Sequence, residues 1–286
     1  MNRFLFKCLL FFVIAAGLNL GYVIFLKAMS PTYQKVDDAR DLKDKNVDLL
    51  IFGNSMALDG FDAQWLTKQG IPSYNMAVGG CHISSSTMQM EHYLQHNKAP
   101  KYAVLALSGA IGNSYLNKIP YPNPEMEFVY HDGPKEWVSN PPLLNLQWLF
   151  IDALKIVISK EHREATIELG QWRTQKCIPD QGIAGSHVVL PRYYVQQLLP
   201  FLASCKTHHI EPILVEMPAG VSKRNHLPAQ YNISLAGTNY TVFNANASTE
   251  SATFIDDQTD WLSENHLNVH GGEKFTKYFF DHILKQ

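Results

Sequence analysis

The most apolar stretch of the chain runs from Cys8 to Leu26, and Asn19 is its only strongly polar position. Basic residues flank it, with Arg3 and Lys7 before the stretch and Lys27 directly after it. At about 1.5 Å per residue, a helix over this stretch reaches roughly 28 Å, close to the hydrocarbon thickness of a bilayer. The pattern therefore predicts one N-terminal transmembrane helix, with residues 1–29 as the anchor and its flanks.

A cleaved signal peptide is the alternative interpretation of the same stretch. Signal peptides usually carry only about 7 to 15 apolar residues before a small-residue cleavage site, and Leu26-Lys27-Ala28-Met29-Ser30 offers no good site. An uncleaved anchor is therefore favoured. Because Arg3 and Lys7 lie beside the amino terminus, we expect that end in the cytosol. The protein is then a single-pass cell-membrane protein whose bulk lies outside the cytosol, on the periplasmic side in a bacterium.

After residue 46 the pattern alternates between short apolar runs and longer stretches with helical spacing. Strands are predicted at 47–52, 74–78, 102–107 and 210–216, and helices at 61–69, 86–96 and 192–208. This alternation implies parallel strands joined by right-handed crossovers, and hence a doubly wound α/β layer structure. Ligands of such sheets bind beyond the carboxyl ends of the strands, which is where Ser55 and Gly79-Gly80 fall.

The remaining segments complete a domain organisation. Residues 30–46 are polar and charged, which predicts a tether, and the α/β domain is expected at 47–286. An insertion at about 117–190 begins with a Pro-rich stretch that excludes a regular helix or central strand. It is expected to cap one end of the sheet and to form a substrate groove or a partner surface, with a purely structural flap as the alternative. Phe275, Phe279 and Ile283 predict a last helix, whereas the stretch around Asn232 and Asn239 is expected to be a polar loop.

Composition narrows the class of protein. With 286 residues and 46% hydrophobic content, the chain can build a substantial core. A formal net charge of -2 provides no basic excess for a phosphate backbone, so a general nucleic-acid binder is excluded. Four cysteines do not make a disulfide scaffold in a chain of this length. One bridge at most is expected, between Cys177 and Cys205, and two free buried thiols are the alternative.

Candidate chemistry lies at two distant places in the sequence. Ser55 follows the first predicted strand after Gly53-Asn54, a position where α/β folds place nucleophiles, and His266 lies near the C-terminus. A serine hydroxyl needs an imidazole to accept its proton, and the acyl oxyanion needs N–H donors. The backbone N–H groups of Ser55 and Gly80 are candidates for those donors. The alternatives are that Ser55 only caps a helix and that His266 is a loop or packing histidine.

Three sequence blocks resemble the SGNH (GDSL-like) hydrolase superfamily. They are Gly53-Asn54-Ser55, the block Asn75-Met76-Ala77-Val78-Gly79-Gly80, and the ending His266-Leu267-Asn268-Val269-His270-Gly271-Gly272-Glu273-Lys274-Phe275-Thr276. The ending is most similar to that of the membrane-anchored bacterial branch, which resembles the teichoic-acid D-alanylation and alginate O-acetylation proteins. The resemblance implies a three-layer α/β/α fold and ester chemistry on extracytoplasmic polymers, often beside a membrane-bound O-acyltransferase.

Position by position, the resemblance implies that Ser55 is the nucleophile, Gly80 an oxyanion glycine and His266 the base. Two positions depart from the family pattern. Ala110 stands where the oxyanion asparagine is common, so that Asn113 would have to replace it, and Ser263 stands in the place of the aspartate. A serine does not stabilise an imidazolium as a carboxylate does. The orienting role would then fall to Glu264, Asp260, a backbone carbonyl or to nothing.

The expected function is therefore that of a membrane-anchored, extracytoplasmic acyl esterase or O-acyltransferase, with acetyl as the expected group and a cell-surface or secreted glycan as substrate. The alternative is a catalytically degenerate accessory subunit that binds a membrane-bound O-acyltransferase or its polymer. A lipid or thioester hydrolase is a third and weaker alternative. No cofactor, metal ion or nucleic acid is expected to bind.

Overall fold

A computed structural model describes residues 2–43, 45–107, 121–131, 134–158, 166–179 and 192–285. The chain forms two compact units, one from residues 1–41 and 123–163 and the other from residues 42–122 and 164–286.

The helices are α1 (Asn2–Met29), α2 (Pro31–Arg40), α3 (Ser55–Gly60), α4 (Ala63–Lys68), α5 (Ile83–His96), α6 (Pro124–Tyr130), α7 (Pro134–Ser139), α8 (Pro142–Asn145), α9 (Gln147–Ile158), α10 (Arg192–Thr207), α11 (Ser248–Phe254) and α12 (Val269–Phe279). A short 3₁₀ turn (Val221–Lys223) and a final π-helical turn (Phe280–Leu284) complete them.

The strands are β1 (Leu49–Phe52), β2 (Ser73–Asn75), β3 (Tyr102–Ala106), β4 (Thr166–Glu168), β5 (Gln171–Arg173), β6 (Glu211–Glu216), β7 (Gln230–Leu235), β8 (Thr238–Asn244), β9 (Trp261–Ser263) and β10 (His266–Leu267). Six of them form one sheet in the order β2-β1-β3-β6-β8-β7. Neighbouring strands are parallel from β2 to β8, and β7 is antiparallel to β8 at the edge. The prediction of an α/β fold with a mostly parallel sheet is thus confirmed.

Helices cover both faces of this sheet, because successive side chains of a strand point to opposite sides. Ile51 of β1 belongs to a buried apolar cluster that includes Phe61 and Phe275. Its neighbour Phe52 packs on the other side against Phe201 of α10, with ring centroids 5.3 Å apart. All four residues of β1 are buried, which explains why this strand reads as a continuous apolar run.

One prediction about the second unit was wrong. The stretch around Asn232 and Asn239, expected to be a polar loop, forms the antiparallel pair β7–β8 at the edge of the sheet. Its turn is made by Ala236 and Gly237, which both have positive φ, at 49° and 80°. Two central residues with positive φ match the right-handed twist of a two-residue hairpin.

The first unit is helical. In α1, the segment Arg3–Met29 is long and apolar enough to cross a membrane, and most of its apolar side chains are not buried by the protein. Residues 30–46, expected to be a tether, are helical from Pro31 to Arg40, where the side chain of Ser30 caps the helix by accepting a hydrogen bond from Tyr33 N. Residues 123–163, expected as part of an insertion, belong to this unit as well. The expectation that its Pro-rich start excludes a regular helix was wrong, because α6 and α7 form there and each begins at a proline, which the first position of a helix tolerates.

The cysteines form no disulfide. Cys8, Cys81, Cys177 and Cys205 all keep their thiols unbridged, and Cys177 is exposed whereas Cys205 is buried. The Cys177 thiol donates to the carbonyl of Gln258, and the Cys205 thiol contacts the sulfur of Met90. The expected Cys177–Cys205 bridge is therefore absent, and the alternative of two free buried thiols holds for Cys205 alone.

Candidate active site

The turn between β1 and α3 places Ser55 at the carboxyl edge of the sheet. Gly53 has a φ of 145°, and a Cβ there would lie 2.9 Å from Ala106 Cβ and 3.0 Å from Ala57 Cβ, so only glycine fits. Asn54 caps the helix, since its side-chain oxygen accepts a hydrogen bond of 3.0 Å from Met56 N. Ser55 is the first residue of α3, and its backbone N–H therefore makes no intrahelical hydrogen bond.

The second part of the site is the short antiparallel pair β9–β10, in which His266 lies opposite Ser263. Directly after it, Asn268 caps α12, because its Oδ1 accepts from His270 N at 3.0 Å and from Gly271 N at 3.1 Å. The Nδ2 of the same side chain donates to the carbonyl of Thr259 at 2.7 Å, and Asn268 is buried. The Asn268 side chain thus fixes the chain on both sides of His266.

Beyond Asn268, α12 packs against α3, the helix that carries Ser55, and against the residues directly after α3. A Cβ on Gly272 would lie 2.8 Å from the carbonyl oxygen of Asp59, so glycine lets the two helices approach closely. Phe275 packs edge-on against Phe61, with ring centroids 4.8 Å apart. Thr276 Oγ1 accepts from the backbone N of Asp62 at 2.8 Å. These residues position the two parts of the site relative to each other.

The structure brings the two candidate catalytic side chains into contact. His266 Nε2 lies 2.8 Å from Ser55 Oγ, and His266 Nδ1 lies 2.7 Å from Ser263 Oγ. Ser55 and His266 are separated by 211 positions in the sequence, yet they meet at hydrogen-bond distance. A hydroxyl, an imidazole and a second hydroxyl are thereby aligned as a chain of three groups.

The imidazole of His266 is suited to accept a proton. Its burial, and next the positive charge of Lys223, lower the pKa of His266 below its ordinary value of 6.5. The ring is therefore neutral at neutral pH, as a base that deprotonates a hydroxyl must be. For Nε2 to accept from Ser55, the ring proton must lie on Nδ1 and be donated to Ser263.

Ser263 supports that tautomer only weakly. A carboxylate can only accept a hydrogen bond, so it holds the proton on Nδ1 and stabilises the imidazolium. The hydroxyl of Ser263 can both accept and donate. It is consequently compatible with the unproductive tautomer as well, in which Nε2 carries the proton and faces Ser55.

The two carboxylates considered for the orienting role are held by lysines. Asp260 is buried and pairs with Lys274 Nζ at 2.7 Å. Glu264 is exposed and pairs with Lys223 Nζ at 2.9 Å. Among the described residues, the side chain that hydrogen-bonds His266 Nδ1 is that of Ser263, and neither carboxylate takes this place.

The loop after β2 carries Gly80, the second candidate oxyanion donor. Gly80 adopts a φ of 69°, and a Cβ there would meet open space, so the glycine is required by the backbone conformation and not by crowding. Val78 N donates to Gly53 O at 3.2 Å, which ties this loop to the turn before Ser55. Ala110 and Asn113 lie outside the described residues.

Two residues near the site were not assigned roles from the sequence. Lys223 lies in the 3₁₀ turn after β6, and the hydrogen bond from Gly220 N to Glu264 O (2.8 Å) holds this turn against the β9–β10 turn. No spacing signal links Lys223 to His266. Asn268, in contrast, had a visible signal, because asparagine is a preferred N-cap residue and the predicted last helix follows it directly.

Among the described parts of the chain, no group of three or more His, Cys, Asp or Glu side chains is placed to hold a metal ion. No protein-family model matches this chain, and no curated protein matches it. Fold and site together define an α/β protein in which a serine and a histidine are hydrogen-bonded at the carboxyl edge of a mostly parallel sheet.

Proposed function

We propose that this protein is a membrane-anchored, extracytoplasmic SGNH-like enzyme that removes or transfers an acyl group, acetyl in the simplest case, on a glycan hydroxyl. The observation that carries the proposal is the 2.8 Å contact between Ser55 Oγ and His266 Nε2. Its support is the site's position at the carboxyl edge of a parallel sheet, where α/β proteins bind ligands. The family resemblance of the blocks around both residues supports it as well.

The proposed reaction has two halves with balanced proton transfers. In the first, Ser55 Oγ attacks the acyl carbonyl carbon while its proton moves to His266 Nε2. The C–O bond to the leaving alcohol then breaks, and the alcohol oxygen takes the proton from Nε2. In the second half, the hydroxyl of the acceptor gives its proton to His266 and attacks the acyl carbon, which releases Ser55 with its proton restored.

The acceptor decides which activity results. Water as the acceptor makes the protein an esterase, and a sugar hydroxyl makes it an O-acyltransferase. In both halves a negative charge develops on the acyl oxygen. The N–H of Ser55 and the N–H of Gly80 are the proposed donors to that oxygen, and Asn113 is a proposed third donor.

The proposed location follows from α1. This helix would anchor the chain as a single-pass protein, with Arg3 and Lys7 on the cytosolic side and the chain beyond α1 on the other side of the membrane. A membrane-bound O-acyltransferase is the proposed partner, since an enzyme held at the membrane surface is well placed to exchange acyl groups with one. The polymer substrate would be a cell-surface or secreted glycan.

The test is covalent labelling of the full chain in detergent with a serine-directed fluorophosphonate, together with hydrolysis of 4-nitrophenyl acetate. We expect the native chain to be labelled and the Ser55→Ala variant to be unlabelled. Ser234→Ala is the matched control, because Ser234 is exposed on the edge strand β7 and should leave labelling unchanged. Labelling that persists in Ser55→Ala would exclude Ser55 as the nucleophile.

A second candidate function is favoured by one observation. The group on His266 Nδ1 is a hydroxyl, and the nearby carboxylates of Asp260 and Glu264 are paired with lysines. A site that has lost its orienting carboxylate suits an accessory subunit that binds an acyltransferase or its polymer without reacting. Absence of labelling in both the native chain and Ser55→Ala, together with retained binding of a glycan polymer, would favour this alternative.

A further inference from the structure

Asn19, the polar exception in the apolar stretch of α1, has a specific partner. Its Oδ1 accepts a hydrogen bond of 3.0 Å from the backbone N of Leu143, and its Nδ2 donates to Ala15 O at 2.9 Å. One turn further along α1, the Tyr22 hydroxyl donates to the carbonyl of Leu146 at 2.8 Å. Two polar side chains of α1 therefore bind the two ends of the short helix α8.

These contacts place α8 beside the apolar part of α1. Lys27 is the first charged residue after the apolar stretch, and Asn19 precedes it by eight positions. At about 1.5 Å per residue, Asn19 lies roughly 12 Å from Lys27 along the helix axis. The start of α8 is thus level with the outer part of the segment that would cross the hydrocarbon.

The surface that α8 and the start of α9 leave uncovered is apolar. Its members are large hydrophobic side chains with exposed fractions from 36% to 67%, namely Leu143, Leu144, Trp148, Phe150 and Ile151. No charged residue occurs from Pro141 to Ile151. This surface is continuous with the exposed apolar side of α1, since the Phe150 ring packs 5.9 Å from the ring of Phe25.

The first charge of α9 lies where the apolar surface ends. Asp152 is buried, and its carboxylate accepts hydrogen bonds from Ser30 Oγ at 2.6 Å and from Thr32 N at 3.1 Å. Ser30 is the N-cap residue of α2 and follows Lys27 by three positions, beyond the apolar part of α1. In both chain segments the change from apolar to charged therefore falls at the same height, as expected for one membrane boundary.

The backbone of α8 is also suited to an apolar medium, where each unsatisfied polar group costs several kcal/mol. Leu144 N and Asn145 N both donate to Pro141 O, at 2.9 and 3.1 Å. Leu146 N donates to Pro142 O at 2.9 Å, and Leu143 N donates to Asn19 as described. Pro141 and Pro142 have no N–H to satisfy.

We propose that residues 143–151 are embedded in the outer leaflet beside α1 and form a second membrane attachment, with lipid acyl chains covering their exposed side chains. Trp148 suits the boundary between headgroups and hydrocarbon. The side-chain amides of Asn145 and Gln147 donate to the carbonyl oxygens of Pro141 and Leu144 within the same segment. A single helix can rotate and tilt in a bilayer, and this second contact restrains both motions. The inference rests on the proposed anchoring by α1 and is independent of the ester chemistry.

The test measures probe depth in vesicles of phosphatidylcholine and phosphatidylglycerol that contain only the full chain. The background carries Cys8→Ser and Cys177→Ser, because the other two cysteines are buried. A fluorescent thiol probe is attached at Leu144→Cys, at Val13→Cys in the apolar part of α1, or at Asp41→Cys, which is exposed beyond α2. Nitroxides on the acyl chains and iodide in the water then compete to quench each probe.

We expect the Leu144 and Val13 probes to be quenched several-fold more by nitroxide than the Asp41 probe, and iodide to show the reverse order. A Leu144 probe quenched by iodide overturns the proposal. A Leu144 probe shielded from both quenchers also overturns it, because protein and not lipid would then cover the surface. If the Val13 probe lies in water, the anchor itself fails and the proposal with it, whereas the Ser55 labelling test is unaffected.

Discussion

Ser263 Oγ lies 2.7 Å from His266 Nδ1, in the place where a carboxylate would hold the imidazole proton of a complete triad. A neutral hydroxyl in this place leaves the tautomer of His266 less well fixed and its protonated form less stable. The contact is nevertheless short and well formed, so the geometry for a carboxylate is already present. The role of His266 can therefore be tested by placing a carboxylate at position 263.

We expect Ser263→Asp to increase the turnover of 4-nitrophenyl acetate by about tenfold or more, since loss of the corresponding carboxylate in a serine protease lowers turnover by about 10⁴. The new carboxylate would hold the proton on Nδ1 and stabilise the imidazolium. Ser234→Asp adds the same charge on β7, away from the site, and should leave turnover unchanged. An unchanged or lower rate in Ser263→Asp would argue that His266 does not act as the base.

The pH dependence of labelling should report the environment of His266. Burial has the larger effect and the positive charge of Lys223 the smaller one, and both lower the pKa of this histidine. The neutral base therefore persists below pH 6.5. The acid limb of the profile, where the labelling rate falls as His266 becomes protonated, should lie below that pH. Replacing Lys223 with Gln removes a positive charge that opposes imidazolium formation. The pKa of His266 then rises, and the acid limb moves to higher pH.

The measurement for Lys223→Gln is the rate of fluorophosphonate labelling from pH 5 to 8. Lys277→Gln serves as the control, since Lys277 is exposed on α12 and has no described contact with His266. If the acid limb of Lys223→Gln lies at the same pH as that of the native chain, Lys223 does not act on the imidazole. A limb that moves to lower pH would contradict the sign of the proposed interaction.

Gly272→Ala should separate the two halves of the site. Its Cβ would come 2.8 Å from Asp59 O, and α12 would have to shift away from α3. Overpacking of this kind costs about 1–3 kcal/mol of stability, and we expect labelling of Ser55 to fall even at temperatures where the chain remains folded. Glu273→Ala, at the exposed neighbouring position, should change neither the melting temperature nor the labelling rate.

Glu216, the last residue of β6, should make stability depend on pH. Complete burial raises its pKa well above the ordinary value of 4.5, and one carboxyl oxygen has no partner among the described residues. The folded chain therefore keeps the proton while the unfolded chain loses it above pH 4.5. The free energy of unfolding should fall by about 1.4 kcal/mol per pH unit from pH 4.5 until the folded carboxyl also ionises.

The Glu216→Gln variant should lack this contribution. The free energy of unfolding is measured for both chains by urea titration in detergent. As the pH rises from 5 to 8, the value for Glu216→Gln should increase relative to the value for the native chain. Glu211→Gln lies on the exposed start of the same strand and should follow the native chain. Parallel curves for native chain and Glu216→Gln would mean that Glu216 is not protonated in the fold.

Much of the sheet could be predicted because its central strands are buried on both faces. Leu49–Phe52 is continuous in apolar residues, and its predicted range 47–52 differs from the observed one by two residues at the start. The contact of Ser55 with His266 was also anticipated, since Ser55 follows a predicted strand and the sequence blocks around both residues resemble those of one hydrolase superfamily. Local sequence therefore determined the elements, and topology brought the two residues together.

The hairpin β7–β8 was missed because its strands lie at an exposed edge, where polar residues dominate. Ile233 and Leu235 of β7 are buried and alternate with the exposed Asn232 and Ser234. This period of two was a valid strand signal, but the many polar residues of the stretch drew the interpretation towards a loop. The helix at Pro31–Arg40 was missed although Ser30-Pro31 is a good helix start.

The lysine partners of the carboxylates could not have been foreseen. Asp260 and Glu264 were candidates to orient His266 because they are near it in sequence. The structure pairs Asp260 with Lys274 and Glu264 with Lys223, through contacts set by the packing of α12 and by the turn after β6. Proximity in sequence does not determine which cation a carboxylate meets, and this is why the orienting group remained open until the fold was known.

Asn19→Leu tests the polar contact that docks α8. The substitution makes α1 more apolar, so insertion of the helix should be preserved, but Leu143 N loses its acceptor. An unpaired N–H in an apolar medium is costly, and we expect α8 to move towards water. A probe at position 144 should then be quenched more by iodide and less by acyl-chain nitroxide, while a probe at Val13 keeps its depth.

Leu20→Ala, on the exposed side of α1, is the control that should change neither probe. If the 144 probe keeps its depth in Asn19→Leu, apolar contact alone holds α8 against α1, and the hydrogen bond is not required for docking.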